Sequence, residues 1–151
     1  MGGWEEEIYC SKYYIAICKQ LNNCDFEKEI LIDYLNSFNY RNIRLEPLYQ
    51  IMIHYESQNE LYKAFSYGML GYNIGFPKND ILFIEKDIYN LKFWYTLSSI
   101  SYNLGFNNLA YELINKISDD LIICQTKNCD KCSKLLNYKS KLINEKIKNT
   151  N

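Results

Sequence analysis

The chain has 151 residues, 48% hydrophobic and 23% charged, which is enough apolar material for a buried core. A net charge of −1 excludes a global pull toward nucleic acid or anionic membrane. Six glycines and two prolines argue against a turn-rich sandwich or barrel, and the dominance of Asn, Ile, Lys and Tyr matches A/T-rich codons rather than a particular chemistry.

The opening Glu5-Glu6-Glu7 is acidic where a secretory signal would be basic, so no signal peptide is expected. A first helix is predicted from Glu5 to Leu21, with Ile8, Tyr14, Ile15, Cys18 and Leu21 as its apolar stripe. Asp25 is placed to cap a second helix, Phe26 to Phe38, with Ile30, Leu31, Tyr34 and Leu35 inward. A third, Arg44 to Ser57, carries Pro47 in its first turn and Leu48, Ile51, Met52 and Tyr55 on one face. A fourth runs from Glu60 to Tyr72, with Leu61, Ala64, Phe65 and Met69 inward.

Residues 75–80 read as a loop, and Ile81-Leu82-Phe83-Ile84 as an extended buried segment. A fifth helix spans Lys86 to Leu104, with Gly105 past its end, and a sixth spans Asn107 to Ile117. Asp119 to Asp130 reads as a linker, followed by a Lys-rich helix from Lys131 to Lys148. The uncharged stretch Phe93–Tyr111 is too polar to be a membrane span. A cytoplasmic protein is therefore expected.

Six cysteines without a secretory signal read as free thiols. Cys10 and Cys18 read as small apolar fillers in the first helix. Cys124, Cys129 and Cys132 have a pair spacing that supplies only half of a zinc site, so zinc is a minor alternative. The single histidine, His54, lies beside an apolar stripe and reads as a boundary residue rather than a catalyst. Arg41, Arg44 and Glu46 flank the start of the third helix and read as a salt-bridged helix entrance, with an anion or partner contact as the alternative.

The helices come in pairs, and Ile30, Ala64 and Ala110 occupy the same early position in the second helix of each. Such units stack, because none buries both faces alone. The expected fold is all-α: an α-α superhelix of three hairpins over residues 1–118, a linker at 119–130 and a C-terminal capping helix at 131–151.

The residues Trp94, Leu97, Ser98, Tyr102, Asn103, Leu104, Gly105, Ala110 and Tyr111 resemble a tetratricopeptide repeat, with its Gly-to-Ala spacing of five. The second unit has Asn59 where glycine is usual. Gly2-Gly3-Trp4-Glu5-Glu6 with Ile8-Tyr9, Tyr40-Arg41 with Arg44, Glu46-Pro47-Leu48-Tyr49, and Ile81-Leu82-Phe83-Ile84-Glu85 with Ile88-Tyr89 resemble the tetratricopeptide-like region attached to some family 2 glycosyltransferases. That region also occurs in large DNA viruses, which would place the protein in the host cytoplasm. No Asp-x-Asp sequence occurs, so the resemblance implies the accessory region without its catalytic domain.

The function expected is a protein-binding or scaffolding module accessory to a glycosyltransferase, with no catalytic residue, cofactor or metal assigned. The alternative is a C-terminal fragment of such an enzyme. In a stacked array the first helix of each pair lines a groove, and residues at i, i+3, i+7 and i+10 share a face. This rule selects Lys12 and Lys19, with Ile15 and Asn22; Glu46, Tyr49 and Glu56, with Ile53; and Lys92, Tyr95 and Tyr102, with Ser99. The partner expected there is a protein or peptide, not nucleic acid or membrane.

Overall fold

The computed structural model describes residues 3–117 and 130–148, and no strand occurs among them. No described helix is long and apolar enough to cross a membrane. The fold is all-α. The chain divides into two compact units, Met1–Lys86 and Asp87–Asn151, a division inside the stretch read as one array. Residues 119–129 of the expected linker lie outside the described residues.

The first unit contains α1 (Gly3–Leu21), α2 (Leu31–Tyr40), α3 (Glu46–Ser57) and α4 (Leu61–Leu70). The second contains α5 (Phe93–Asn103), α6 (Asn107–Ile114) and α7 (Asp130–Lys148). α1 packs on α2, α2 on α3, α3 on α4, α5 on α6 and α6 on α7. In the first unit Tyr34, Leu45, Leu48, Ile51, Met52, Tyr55 and Ala64 are all at most 2% exposed. Each buried Leu, Ile or Met side chain contributes about 1.5–3 kcal/mol relative to its exposed state.

The three first helices end in the same way. Asn23 (φ 56°), Asn59 (φ 60°) and Gly105 (φ 84°) adopt the left-handed conformation just past α1, α3 and α5. The following amides of Cys24, Glu60 and Phe106 donate back five residues, to the carbonyls of Lys19, Tyr55 and Ser101. This closes each helix with carbonyls satisfied, and glycine or asparagine is what the left-handed residue demands. Asn59 thus does the work expected of glycine.

Each second helix then starts from Asp25, Glu60 or Phe106, whose carbonyls accept from Glu29, Ala64 and Ala110. Ala64 and Ala110 are completely buried at that position. In the first hairpin the sequence there reads Glu29, and a wide π turn over Phe26–Ile30 corrects the register. The Ile30 amide also reaches the Asp25 carbonyl, and the Leu31 amide donates to Phe26, each five residues back. The extra residue swings Glu29 outward and buries Ile30 to 2%. Asp25 caps this turn as expected, its carboxylate accepting from the Lys28 amide at 3.0 Å. A second π turn, Ile88–Lys92, leads into α5.

Two expectations are corrected. The buried stripe of α1 is Glu6, Tyr9, Cys10, Tyr13 and Ala16, while Tyr14, Ile15 and Leu21 are 42%, 51% and 77% exposed and Cys18 is exposed. The Ile81–Ile84 segment is not buried as a whole: Ile81 is 82% and Phe83 is 67% exposed. Both corrections have one cause, a set of buried charges that the apolar pattern does not register.

Candidate functional site

The link between α2 and α3 carries Arg41 and Arg44, three positions apart and joined by a turn in which the Arg44 amide donates to the Arg41 carbonyl. Arg44 is 1% exposed, and its guanidinium lies 4.6 Å from the centre of the Tyr9 ring. Its five N–H groups all find acceptors. Nε and Nη2 bond Glu46, Nη2 at 2.8 Å; Nη1 bonds Asp80 at 3.2 Å; Nη1 and Nη2 also donate to the Leu82 and Phe83 carbonyls at 3.3 Å each. Arg41 makes a fork to Asp80, with Nε 2.7 Å from Oδ2 and Nη2 on Oδ1, and a longer contact to Glu5. The Asp80 side chain is fully buried. Hydrogen bonds from Arg41 hold its carboxyl below the usual carboxylate range, and the same bonds raise Arg41.

The remaining carboxylates grip backbone. Glu6, 2% exposed, accepts from the Ile81 and Leu82 amides at 2.8 Å each. Glu46, completely buried, accepts from the Glu85 amide at 3.4 Å and from the Tyr9 hydroxyl at 3.4 Å. The Tyr13 hydroxyl donates to Glu85 at 2.9 Å, and burial raises the pKa of that phenol. A burial of this many charges is tolerable only because each is paired and hydrogen-bonded. The segment from Asp80 to Glu85 is therefore clamped by α1, the α2–α3 link and the start of α3.

What the clamp displays is apolar. Ile81 points into solvent, and Phe83 stands edge-on against Tyr14 with ring centres 5.9 Å apart. Phe83 has φ 47°, a conformation that a bulky L residue avoids at a cost of about 1–2 kcal/mol. The structure thus holds an exposed aromatic in a strained conformation, a combination that persists only where its surroundings over-determine it.

The residues selected from the sequence fall differently. Lys12 lies 5.8 Å from the Tyr40 ring, and Lys19 pairs with Asp33 at 2.7 Å. Tyr49 is half-buried, and burial raises the pKa of the half-buried Glu56 carboxyl. Glu46 is corrected: it is consumed by Arg44 and has no surface to offer. Lys92, Tyr95 and Tyr102 belong to the second unit. Lys92 is exposed, 3.8 Å from Asp87. Tyr95 and Tyr102 meet Tyr138 of α7 edge-on at 5.8 and 5.9 Å, and the Tyr102 hydroxyl donates to Glu145 at 2.9 Å. The face of α5 expected to line a groove is thus engaged by the last helix.

His54 stacks on Phe26, with ring centres 3.3 Å apart, and burial lowers its pKa. This is the boundary histidine the sequence describes. Cys124, Cys129 and the side chain of Cys132 lie outside the described residues. The clamped segment is the feature the sequence reading missed. Its available signal was Asp80 and Glu85 bracketing an apolar run, opposite two arginines that are the only ones in the chain. No family model, curated protein or solved structure matches this chain.

Proposed function

We propose that the chain is a helical-repeat binding module that engages a protein partner through the displayed segment Ile81–Phe83 and the adjoining Tyr14. The observation that carries this reading is Phe83, strained, 67% exposed and held in place by a buried ion network. Exposed aromatics on a rigid support are the residues that anchor protein interfaces. The finer reading is a tetratricopeptide-like array, supported by three hairpins with a common left-handed closure and a common buried position at Ile30, Ala64 and Ala110. The partner is a glycosyltransferase catalytic domain, as the sequence resemblance implies, and the setting is cytoplasmic, in a virus-infected cell.

The test is capture of partners from the native cell with wild type, with Ile81→Ser/Phe83→Asn and with Tyr49→Ala. Asparagine tolerates the left-handed backbone, so the double variant removes the anchors without adding strain. A glycosyltransferase recovered by wild type and Tyr49→Ala, and lost with the double variant at unchanged helicity, supports the reading. Equal recovery by all three overturns the displayed segment as the contact.

A further inference from the structure

A cleft of about 420 Å3 opens in the first unit between the α2–α3 link and the chain after α4. Its size is that of a small-molecule site. Asn42 and Ile43 form one rim, and Asn73, Phe76, Lys78 and Asn79 the other. The rims are tied from beneath. Asn42 follows Arg41, Asn79 precedes Asp80, and the Arg41–Asp80 fork joins the two strands of chain, reinforced by Arg44. The opening is therefore held by buried bonds before any ligand arrives, which removes an ordering cost from binding.

The lining has a definite chemistry. Three carboxamides supply donors and acceptors in fixed proportion. No carboxylate lines the cleft, because the Asp80 side chain is turned inward and fully buried. Lys78 has no ion-pair partner among the described residues, so its charge is available at the mouth. Phe76 and Ile43, 41% and 44% exposed, supply the apolar part of the lining. An apolar wall, three carboxamides and one cation along the lining suit a ring that carries an anionic group.

We propose that this cleft binds a small cyclic organic anion, its ring against Phe76 and Ile43, its phosphate or carboxylate at Lys78, and its remaining polar substituents on Asn42, Asn73 and Asn79. The proposal is independent of the displayed Ile81–Phe83 segment. It is tested by nuclear magnetic resonance of the full 15N-labelled chain, titrated separately with phenyl phosphate, benzoate, phenol and inorganic phosphate to about 10 mM, the range in which weak single-site binding is visible.

The expected result is saturable movement of the side-chain amides of Asn42, Asn73 and Asn79 with phenyl phosphate or benzoate. Whichever of the two binds more tightly identifies the anionic group. Lys78→Gln should weaken that binding roughly two- to five-fold, the worth of one exposed ion pair, and leave phenol unchanged. Phe76→Ala should weaken all three ring compounds, and Lys28→Gln, at an exposed lysine elsewhere, should change nothing. No movement of the three amides, inorganic phosphate binding as tightly as phenyl phosphate, or an unchanged dissociation constant in Lys78→Gln would overturn the proposal.

Discussion

Asp80→Asn removes one charge and almost no volume, so it isolates the electrostatic role of the buried cluster. The asparagine oxygen can still accept from one arginine, but its amide nitrogen then faces guanidinium donors. Three hydrogen bonds to Asp80 are disturbed, and Arg44, 1% exposed, is left partly uncompensated. Removing one member of a buried ion network costs about 3–5 kcal/mol. A unit spanning Met1–Lys86 has a total stability of about 4–13 kcal/mol, so the substitution takes a large share of it. In a urea titration followed by circular dichroism, a slope of about 2 kcal/mol/M turns this into a midpoint shift of about 2 M. Hydrogen exchange of the α3 amides assigns the loss to the first unit. The acid limb should change as well. The Asp80 pKa is depressed on folding, so its contribution is complete above the ordinary value and drains away as pH falls through the lower, folded one. The variant should lose that limb. Lys63→Gln is the comparison, because Lys63 is about half exposed where it meets Glu60, Glu27 and the Tyr55 ring, so solvent screens its pairs and its loss should shift the urea midpoint little. A loss below about 1 kcal/mol for Asp80→Asn, or one no larger than for Lys63→Gln, would refute the assignment of the cluster as the clamp.

Gly105→Ala places a side chain at φ 84°, where the surrounding space is open and the backbone is the obstacle. Thermal unfolding of the second unit should show a destabilisation of about 1 kcal/mol, and no change would mean that the left-handed closure is unnecessary. The His54 ring should titrate below 6.5 by proton resonance, with stability complete above that value and lost as pH falls through the lower folded pKa; a midpoint at or above 6.5 contradicts the Phe26 stack. Tyr138→Ala deletes two aromatic contacts and the hydroxyl's bond to the Ser98 carbonyl at 2.9 Å, together about 2–3 kcal/mol. Amides of residues 137–145 should then exchange faster, and unchanged protection would place the anchoring of α7 elsewhere.

The helical hairpins were legible because their punctuation is local. Asp25, Pro47 and Gly105 act within a turn of where they sit, and Ala64 and Ala110 mark close packing by size alone. The inward face of α1 was not legible from apolar periodicity. Its buried row is led by Glu6 and includes a cysteine and two tyrosines, whereas Ile15 and Leu21 face outward. Glu6 earns its burial from two backbone amides some 75 residues away, information that no window of the first helix contains. The π turn before α2 was likewise invisible, because a period of 3.6 assigns Glu29 and Ile30 without allowing for an inserted residue. The binding face suffered from the same remoteness. Glu46 satisfied the helical spacing of a groove, yet its partner two residues earlier, Arg44, folds back and consumes it.

The clamp also shapes the order in which the first unit is built. Helical hairpins assemble quickly, since their contacts lie close along the chain. Glu6 instead waits for Leu82, 76 residues downstream, and Arg44 waits for Asp80. A chain ending after α4 lacks Asp80, Ile81 and Leu82, the partners of Arg44 and Glu6, so its α2–α3 link should exchange amide hydrogens faster than the link of the full chain.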